Sequence, residues 1–403
     1  MQTNSIPRHR AVEFGIYRDG DNNLDASQAE VLNQALAVSA KDSRVAFTVE
    51  DTTARSKDDL HTDRYVIVDG KVQQTQVSVP DDMASPENLA KFVARTLDEA
   101  ERNGATQTWI DLVDHGAGDG GGLEADSTGH VMPMPKIANA IADGIALHAK
   151  EHPEDADRGV DGVVANQCLM SSLGFADALS HAGVKYLAAS PETMVSPGVP
   201  STVATAIAQH TDDPTAMADA VVGDVMGKKY DPGIGTRYGP AAAFDVIDLD
   251  GKKMRAVESS VKSLNDAIAD AARHNRETRS AIRDDIKAND GMVRFPGSKG
   301  LPWHADRPAI ATYTTLASDG RLDAGLRAKA HAASDAVRDL VMSHKESDNF
   351  APFGGSDYSD AVGPTVHLPI TQKQIDPWAP AVSETNNRFF QETDEAKVIS
   401  AIA

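Results

Sequence analysis

The feature that most constrains the fold is a pair of short apolar runs, each ending at a residue that can do chemistry. Thr108-Trp109-Ile110-Asp111-Leu112-Val113-Asp114 reads as a buried strand, and His115 and a glycine-rich stretch, Gly116 to Gly122, follow it directly. Val160 to Gln167 reads as a second buried strand and leads into Cys168, the only cysteine in the chain. Near-continuous apolar strands belong to sheets covered on both faces, as in α/β proteins. Such sheets bind ligands beyond the carboxyl ends of their strands, where His115 and Cys168 fall. Cys168 to Leu179 reads as the beginning of a helix, so the thiol is expected at a helix N-terminus, whose partial positive charge favours the thiolate.

A lone cysteine is ordinarily a small buried hydrophobe. A histidine at a second strand end changes that balance, because a thiol and an imidazole brought together make a nucleophile and its proton-transfer partner.

The rest of the first half alternates strand and helix signals, which predicts a mostly parallel sheet with helices on both faces. Val12 to Arg18 is the expected first strand, Leu24 to Val38 the first helix and Arg44 to Glu50 the second strand. Tyr65-Val66-Ile67-Val68, Asp69-Gly70 and Lys71-Val72-Gln73 spell a hairpin with a two-residue turn. Ser85-Pro86 opens a helix to about Arg102, and Lys136 to Lys150 forms another. Tyr186 to Ser190 and Ala241 to Ile247 are further strands, the latter expected to be the last of the main sheet. After about residue 250, long helices are expected over 252–288 and 321–344, with a late strand at Pro364 to Ile370. The division expected is a catalytic unit over 1–250 and a helical region over 251–403 packed on it.

With 60 acidic against 39 basic residues, the net charge of −21 argues against nucleic acid and anionic membrane as partners. One cysteine rules out an intramolecular disulfide framework and a cysteine-based zinc cluster. The first ten residues contain no apolar core of a signal peptide, and no run approaches a membrane span, so a cytoplasmic location is the default and leaderless secretion stays compatible.

The ordered motifs resemble the clostripain-like cysteine peptidases, of the clan that includes caspases, legumains, gingipains and separases. Gly20-Asp21-Asn22-Asn23-Leu24 follows the first strand, Asp114-His115-Gly116 ends the histidine strand and Asn166-Gln167-Cys168-Leu169-Met170-Ser171 carries the cysteine. Ala189-Ser190-Pro191-Glu192 and Val366-His367-Leu368-Pro369 complete the order. The 53 residues between His115 and Cys168 lie near the caspase spacing of roughly 50. The resemblance implies a caspase-like three-layer α/β sandwich with a mostly parallel central sheet flanked by helices. It also implies a cysteine endopeptidase with Cys168 as nucleophile and His115 as general acid/base. The N–H groups of Gly116 and Cys168 are the expected oxyanion donors.

Asn166 and Glu192 are the expected substrate-binding residues. Relatives usually carry aspartate at the first of these positions, an acid tied to acceptance of Arg or Lys, so Asn166 implies a relaxed basic preference. The resemblance requires no cofactor, and calcium activates some relatives. Glu30 is twelfth from Asp19, but Leu24 stands where a calcium loop needs glycine, so helix capping is the preferred reading of the Asp/Asn run. His130, His304 and His367 read as surface or packing residues. Relatives often cut themselves between histidine and cysteine. Of Lys136, Lys150 and Arg158, the last is expected to be most exposed and is the candidate cleavage site. Two other classes stay open: a thiol amidohydrolase acting on small amides, and an inert binding protein on the same scaffold. Peptide or protein is the expected partner, and the oligomeric state is left open.

Overall fold

The computed structural model describes residues 9–54, 60–76, 82–230, 239–289, 305–347, 359–370 and 387–402. Its centre is built from three runs with almost no exposed side chain: β1 (Val12–Gly20), β5 (Gln107–Val113) and β8 (Gly162–Asn166). Period-two alternation splits each of them between two cores. Tyr17, Ile110, Leu112, Val163 and Ala165 face one core, and Phe14, Ile16, Trp109, Val113 and Val164 face the other.

Around these strands lie β2 (Val45–Ala54), β3 (Leu60–Val68), β4 (Lys71–Gln76), β9 (Tyr186–Ala189), β10 (Ala243–Asp248) and β12 (Val341–Glu346). They form a nine-stranded sheet in the order β12-β10-β9-β8-β5-β1-β2-β3-β4. The five strands β9-β8-β5-β1-β2 are parallel, and the two strands at each edge are antiparallel. The β3–β4 turn is the expected hairpin, with Asp69 and Gly70 both at positive φ, as a type I′ turn demands.

Helices cover both faces. α3 (Pro86–Asn103), α4 (Met134–Glu151) and α5 (Leu173–His181) pack on the Tyr17 side, and α8 (Gly251–His274), α9 (Arg276–Ala288), α10 (Ala309–Ser318) and α11 (Ala324–Arg338) complete that core. α2 (Val31–Lys41), α6 (Val203–Gln209) and α7 (Pro214–Gly227) cover the Phe14 side. The result is the expected three-layer α/β sandwich with a largely parallel sheet.

Four local expectations need correction. The helix from Leu24 divides into α1 (Asp25–Gln28) and α2, with Ala29 and Glu30 between them. α5 begins at Leu173, five residues after the cysteine, because Leu169 adopts a left-handed φ of 68° and Ser172, in extended backbone, caps the helix by accepting from the Phe175 N–H. Ala243–Asp248 is not the last strand of the sheet. The segment read as the end of a helix leaves it at Arg338 and becomes β12, paired antiparallel with β10. β13 (Thr365–His367) joins β11 (Asp306–Pro308) in one small separate sheet, and β6 (Gly122–Ala125) pairs with β7 (His130–Met132) in another. No described helix is long and apolar enough to cross a membrane.

Candidate active site

The 53-residue spacing is a consequence of strand register. On β5 and β8, Val113 lies opposite Asn166, also 53 residues apart. His115 and Cys168 each sit two residues beyond that last pair, so parallel pairing carries both to the same sheet end. There Leu24, Gln28, His115, Gln167, Cys168 and Met194 are among the residues that line one cavity of about 240 Å³. β1 and β5 are neighbours whose outgoing connections cross to opposite faces of the sheet, the crevice in which open α/β folds bind ligands.

The histidine is held by the Asp/Asn run that follows β1. His115 Nε2 lies 2.7 Å from Asn23 Oδ1. Since that oxygen can only accept, Nε2 carries the proton and Nδ1 the lone pair. Asn22 Nδ2 donates to Asp114 Oδ1 at 2.6 Å and to the Glu124 carbonyl at 3.0 Å, and the Glu124 N–H donates to Asp114 Oδ2. Asp21 Oδ2 takes the Ser127 N–H and hydroxyl. These side chains tie β1 to the loop after β5, and Asn22 Oδ1 also accepts the N–H of Leu24, the residue that opens α1, at 2.9 Å. The run therefore does more than the capping reading expected: it closes the helix entry and also supports the histidine. Asparagine residues 92 positions away carry no local signal of that role.

Burial lowers the His115 pKa, which favours the neutral imidazole. Burial, followed by the nearby Asp19 carboxylate, pushes Asp114 well above the usual carboxylate range. Asp114 thus acts in support of the loop rather than as an ion-pair partner of the histidine.

Cys168 sits in an irregular turn held by backbone. The Leu169 N–H donates to the Glu192 carbonyl, Ser171 N–H to Ser190 O and Thr365 N–H to Ser171 O. Ser171 Oγ donates to Asp245 at 3.0 Å, and Ser172 Oγ donates to Asp119, which also takes Asn387 Nδ2. The Met194 N–H points at Sγ from 3.3 Å. Burial pushes the thiol up to about 11, with the Met194 N–H opposing that shift. The expected thiolate at a helix N-terminus is overturned: the helix starts too far along the chain, and the resting thiol is neutral.

Gly116 and Cys168 meet closely. A Cβ on Gly116 would lie 2.3 Å from the Cys168 carbonyl oxygen. Among the described residues, neither the Gly116 nor the Cys168 N–H donates to a backbone carbonyl.

Asn166 lines the cavity, but its amide is committed: Oδ1 accepts the Val199 N–H at 2.9 Å and Nδ2 reaches the Val199 carbonyl at 3.3 Å. Glu192 is buried and does not line the cavity, and its carbonyl holds the cysteine turn instead. Gln28 was missed by the sequence reading. It lines the cavity, and its buried Oε1 has no hydrogen-bond partner among the described residues. Contrary to expectation, Arg158 is not the most exposed of the three basic residues: Lys136 and Lys150 are exposed and Arg158 is half-buried. Its side chain is 19% exposed, paired with Asp155 and donating to the Ala105 carbonyl at 2.9 Å. His130 pairs with Asp82 at the surface and His367 with Asp306 in the interior, while His304 lies outside the described residues.

No family model and no curated protein matches the sequence. Solved structures do match in fold. A secreted C11 cysteine protease from Bacteroides thetaiotaomicron, in complex with an irreversible peptide inhibitor, superposes with a TM-score of 0.64 at 13% identity, over 96% of this chain and 99% of that one. An inactive zymogen of a C11 protease from Parabacteroides distasonis gives 0.60 at 14%, with the same coverage. At such identity the likeness is one of fold, and it extends over nearly the full length of both proteins.

Proposed function

We propose that this chain is a clostripain-like cysteine endopeptidase, with Cys168 as nucleophile and His115 as general acid/base. The observation that carries the reading is the register of β5 and β8, which brings both residues to one cavity at the sheet's switch point. The fold likeness to C11 proteases, one of them holding a peptide inhibitor, supports it.

The resting pair is a neutral thiol and a neutral imidazole. In the reaction Sγ bonds to the scissile carbonyl carbon and its proton passes to His115 Nδ1, which Asn23 leaves with a lone pair. The same proton then goes to the leaving nitrogen as the C–N bond breaks, and water releases the acyl group from sulfur. Gly116 and Cys168 N–H groups would receive the oxyanion. The only carboxylate side chain among the described cavity-lining residues is Asp114, which is already engaged by Asn22 and Glu124. A cavity without a free carboxylate supports a P1 preference in which Arg and Lys are not dominant.

The test is cleavage of a fluorogenic peptide library covering every P1 residue, beside small primary amides. Cys168→Ala and His115→Ala should each lose at least about 10³-fold in kcat/KM. Peptide turnover surviving in Cys168→Ala, or turnover of small amides alone, overturns the reading.

A further inference from the structure

Away from the active site, α3 and the end of α4 bring together two histidines and four carboxylates. His148 and His152 are one helical turn apart, and their rings stack at 4.9 Å with 16° between planes. Asp98 Oδ1 lies 2.8 Å from His148 Nδ1 and 3.4 Å from His152 Nε2. The outward nitrogens also face carboxylates. His152 Nδ1 is 2.9 Å from Glu101 and 3.8 Å from Glu154, and His148 Nε2 is 3.6 Å from Asp155. His148 is fully buried, and its Nε2 makes no hydrogen bond among the described residues.

Among the described residues only one of the four ring nitrogens, His148 Nδ1, makes a hydrogen bond to these carboxylates. The inner nitrogens, His148 Nδ1 and His152 Nε2, share Asp98 Oδ1, and the outer ones have Asp155 and Glu101 within 3.6 and 2.9 Å. A metal ion on the Asp98 side would take the inner lone pair of each ring and leave each outer N–H beside a carboxylate, Glu101 for His152 and Asp155 for His148. Carboxylate-backed histidine is the usual support of a metal ligand.

We infer that Asp98, His148 and His152 form a binding site for a first-row divalent transition metal, zinc above all. One ligand atom from each of the three lies within 4.8 Å of the other two. Tetrahedral zinc with bonds of roughly 2.0–2.1 Å needs ligand atoms about 3.3 Å apart, so the two Asp98 contacts need to move by only about half an ångström, while the stacked imidazoles must turn for their lone pairs to converge on one ion. Imidazole and carboxylate donors suit zinc, whereas calcium prefers an all-oxygen shell. Side chains of His152 and Glu101, 30% and 32% exposed, leave a path for the ion and room for a water as fourth ligand.

The site clips the turn Pro153–Asp155 and the end of α4 to α3, within the connection between the His115 and Cys168 strands. Asp155 also holds Arg158, so the metal tightens the segment that contains the candidate cleavage residue.

The experiment is zinc chloride titration by calorimetry into EDTA-stripped full-length protein. A Cys168→Ala background removes the thiol as a competing ligand. Expected are one zinc per chain, a rise in melting temperature with zinc, and slower trypsin cleavage after Arg158. His152→Ala, at a partly exposed position, and Asp98→Asn should each weaken zinc binding by at least about tenfold. Cobalt in place of zinc should give visible absorption bands that both variants lose. The inference falls if the background protein binds no zinc at about 100 µM, if either variant binds as tightly as that background, or if calcium chloride binds there as well as zinc.

Discussion

The two halves of the candidate site are built by opposite means. His115 is fixed by side chains: Asn23 on its Nε2, with Asn22, Asp114 and the Glu124 N–H locking the loop behind it. Cys168 itself is fixed mainly by backbone, through Leu169, Ser171 and the Met194 N–H, with the Ser171 and Ser172 hydroxyls anchoring the turn behind it. The histidine arm therefore arrives oriented, while the cysteine arm arrives placed but not activated, its thiol pushed up to about 11 by burial. Orientation is prepaid in the fold, and ionisation is left to the moment when a substrate carbonyl replaces water near sulfur.

Altering the point where the two arms touch should have the largest effect. In Gly116→Ala the new Cβ would be 2.3 Å from the Cys168 carbonyl and 2.8 Å from Gln167 Cβ, so backbone must shift. We expect a loss of at least about 10²-fold in kcat with the fold retained, the magnitude associated with one oxyanion donor. Near wild-type kcat would show that the two loops slide freely and that the close approach has no catalytic consequence.

Next in size is the histidine arm alone. Asn23→Ala should lower kcat by about 10-fold to 100-fold with KM little changed, because it frees the imidazole without touching the cavity wall that binds substrate. Asn23→Asp separates positioning from mere packing. A carboxylate on Nε2 favours the imidazolium, so the His115 limb of the pH–rate profile should move upward. An unmoved profile would make Asn23 a structural residue only.

The cysteine arm is read directly by alkylation. Only the thiolate reacts, so iodoacetamide modification of Cys168 should rise about tenfold per pH unit from pH 7 to 10, without levelling before about 11. A plateau near pH 6 to 8 would mean an ion pair already formed at rest and would erase the contrast between the arms.

Much of this asymmetry was hidden from the sequence for a physical reason. The apolar runs of β5 and β8, the Asp69-Gly70 turn and the proline opening α3 are local signals, and each is read from a few neighbouring residues. The resemblance and the two strand ends picked out His115, Gly116 and Cys168. What supports them is long-range. Asn23 meets His115 across 92 residues, and β12 pairs with β10 although its own sequence, Val341-Met342-Ser343-His344-Lys345-Glu346, continues a helix-like stretch. The late start of α5 was legible in part: Ser172 is a good N-cap residue followed three positions later by a helical Phe175. The left-handed Leu169 was not, since leucine gives no notice of positive φ.

The smallest expected effect concerns the wall beside the cysteine. Asn166 brackets Val199 with both ends of its amide, and an aspartate there keeps the bond from the Val199 N–H and loses the longer one to the Val199 carbonyl. The lost bond costs about 1 kcal/mol of stability. The charge gained would face a cavity with no free carboxylate of its own, so Asn166→Asp should raise kcat/KM for Arg and Lys at P1 about tenfold relative to Ala at P1. A raised ratio would mean that selectivity here is set by one side chain lying on the cysteine strand itself. An unchanged ratio would mean that the Asn166 side chain serves only to bracket the 198–199 loop, and that the buried Gln28 Oε1, unpartnered among the described residues, is the next polar group to test for contact with P1.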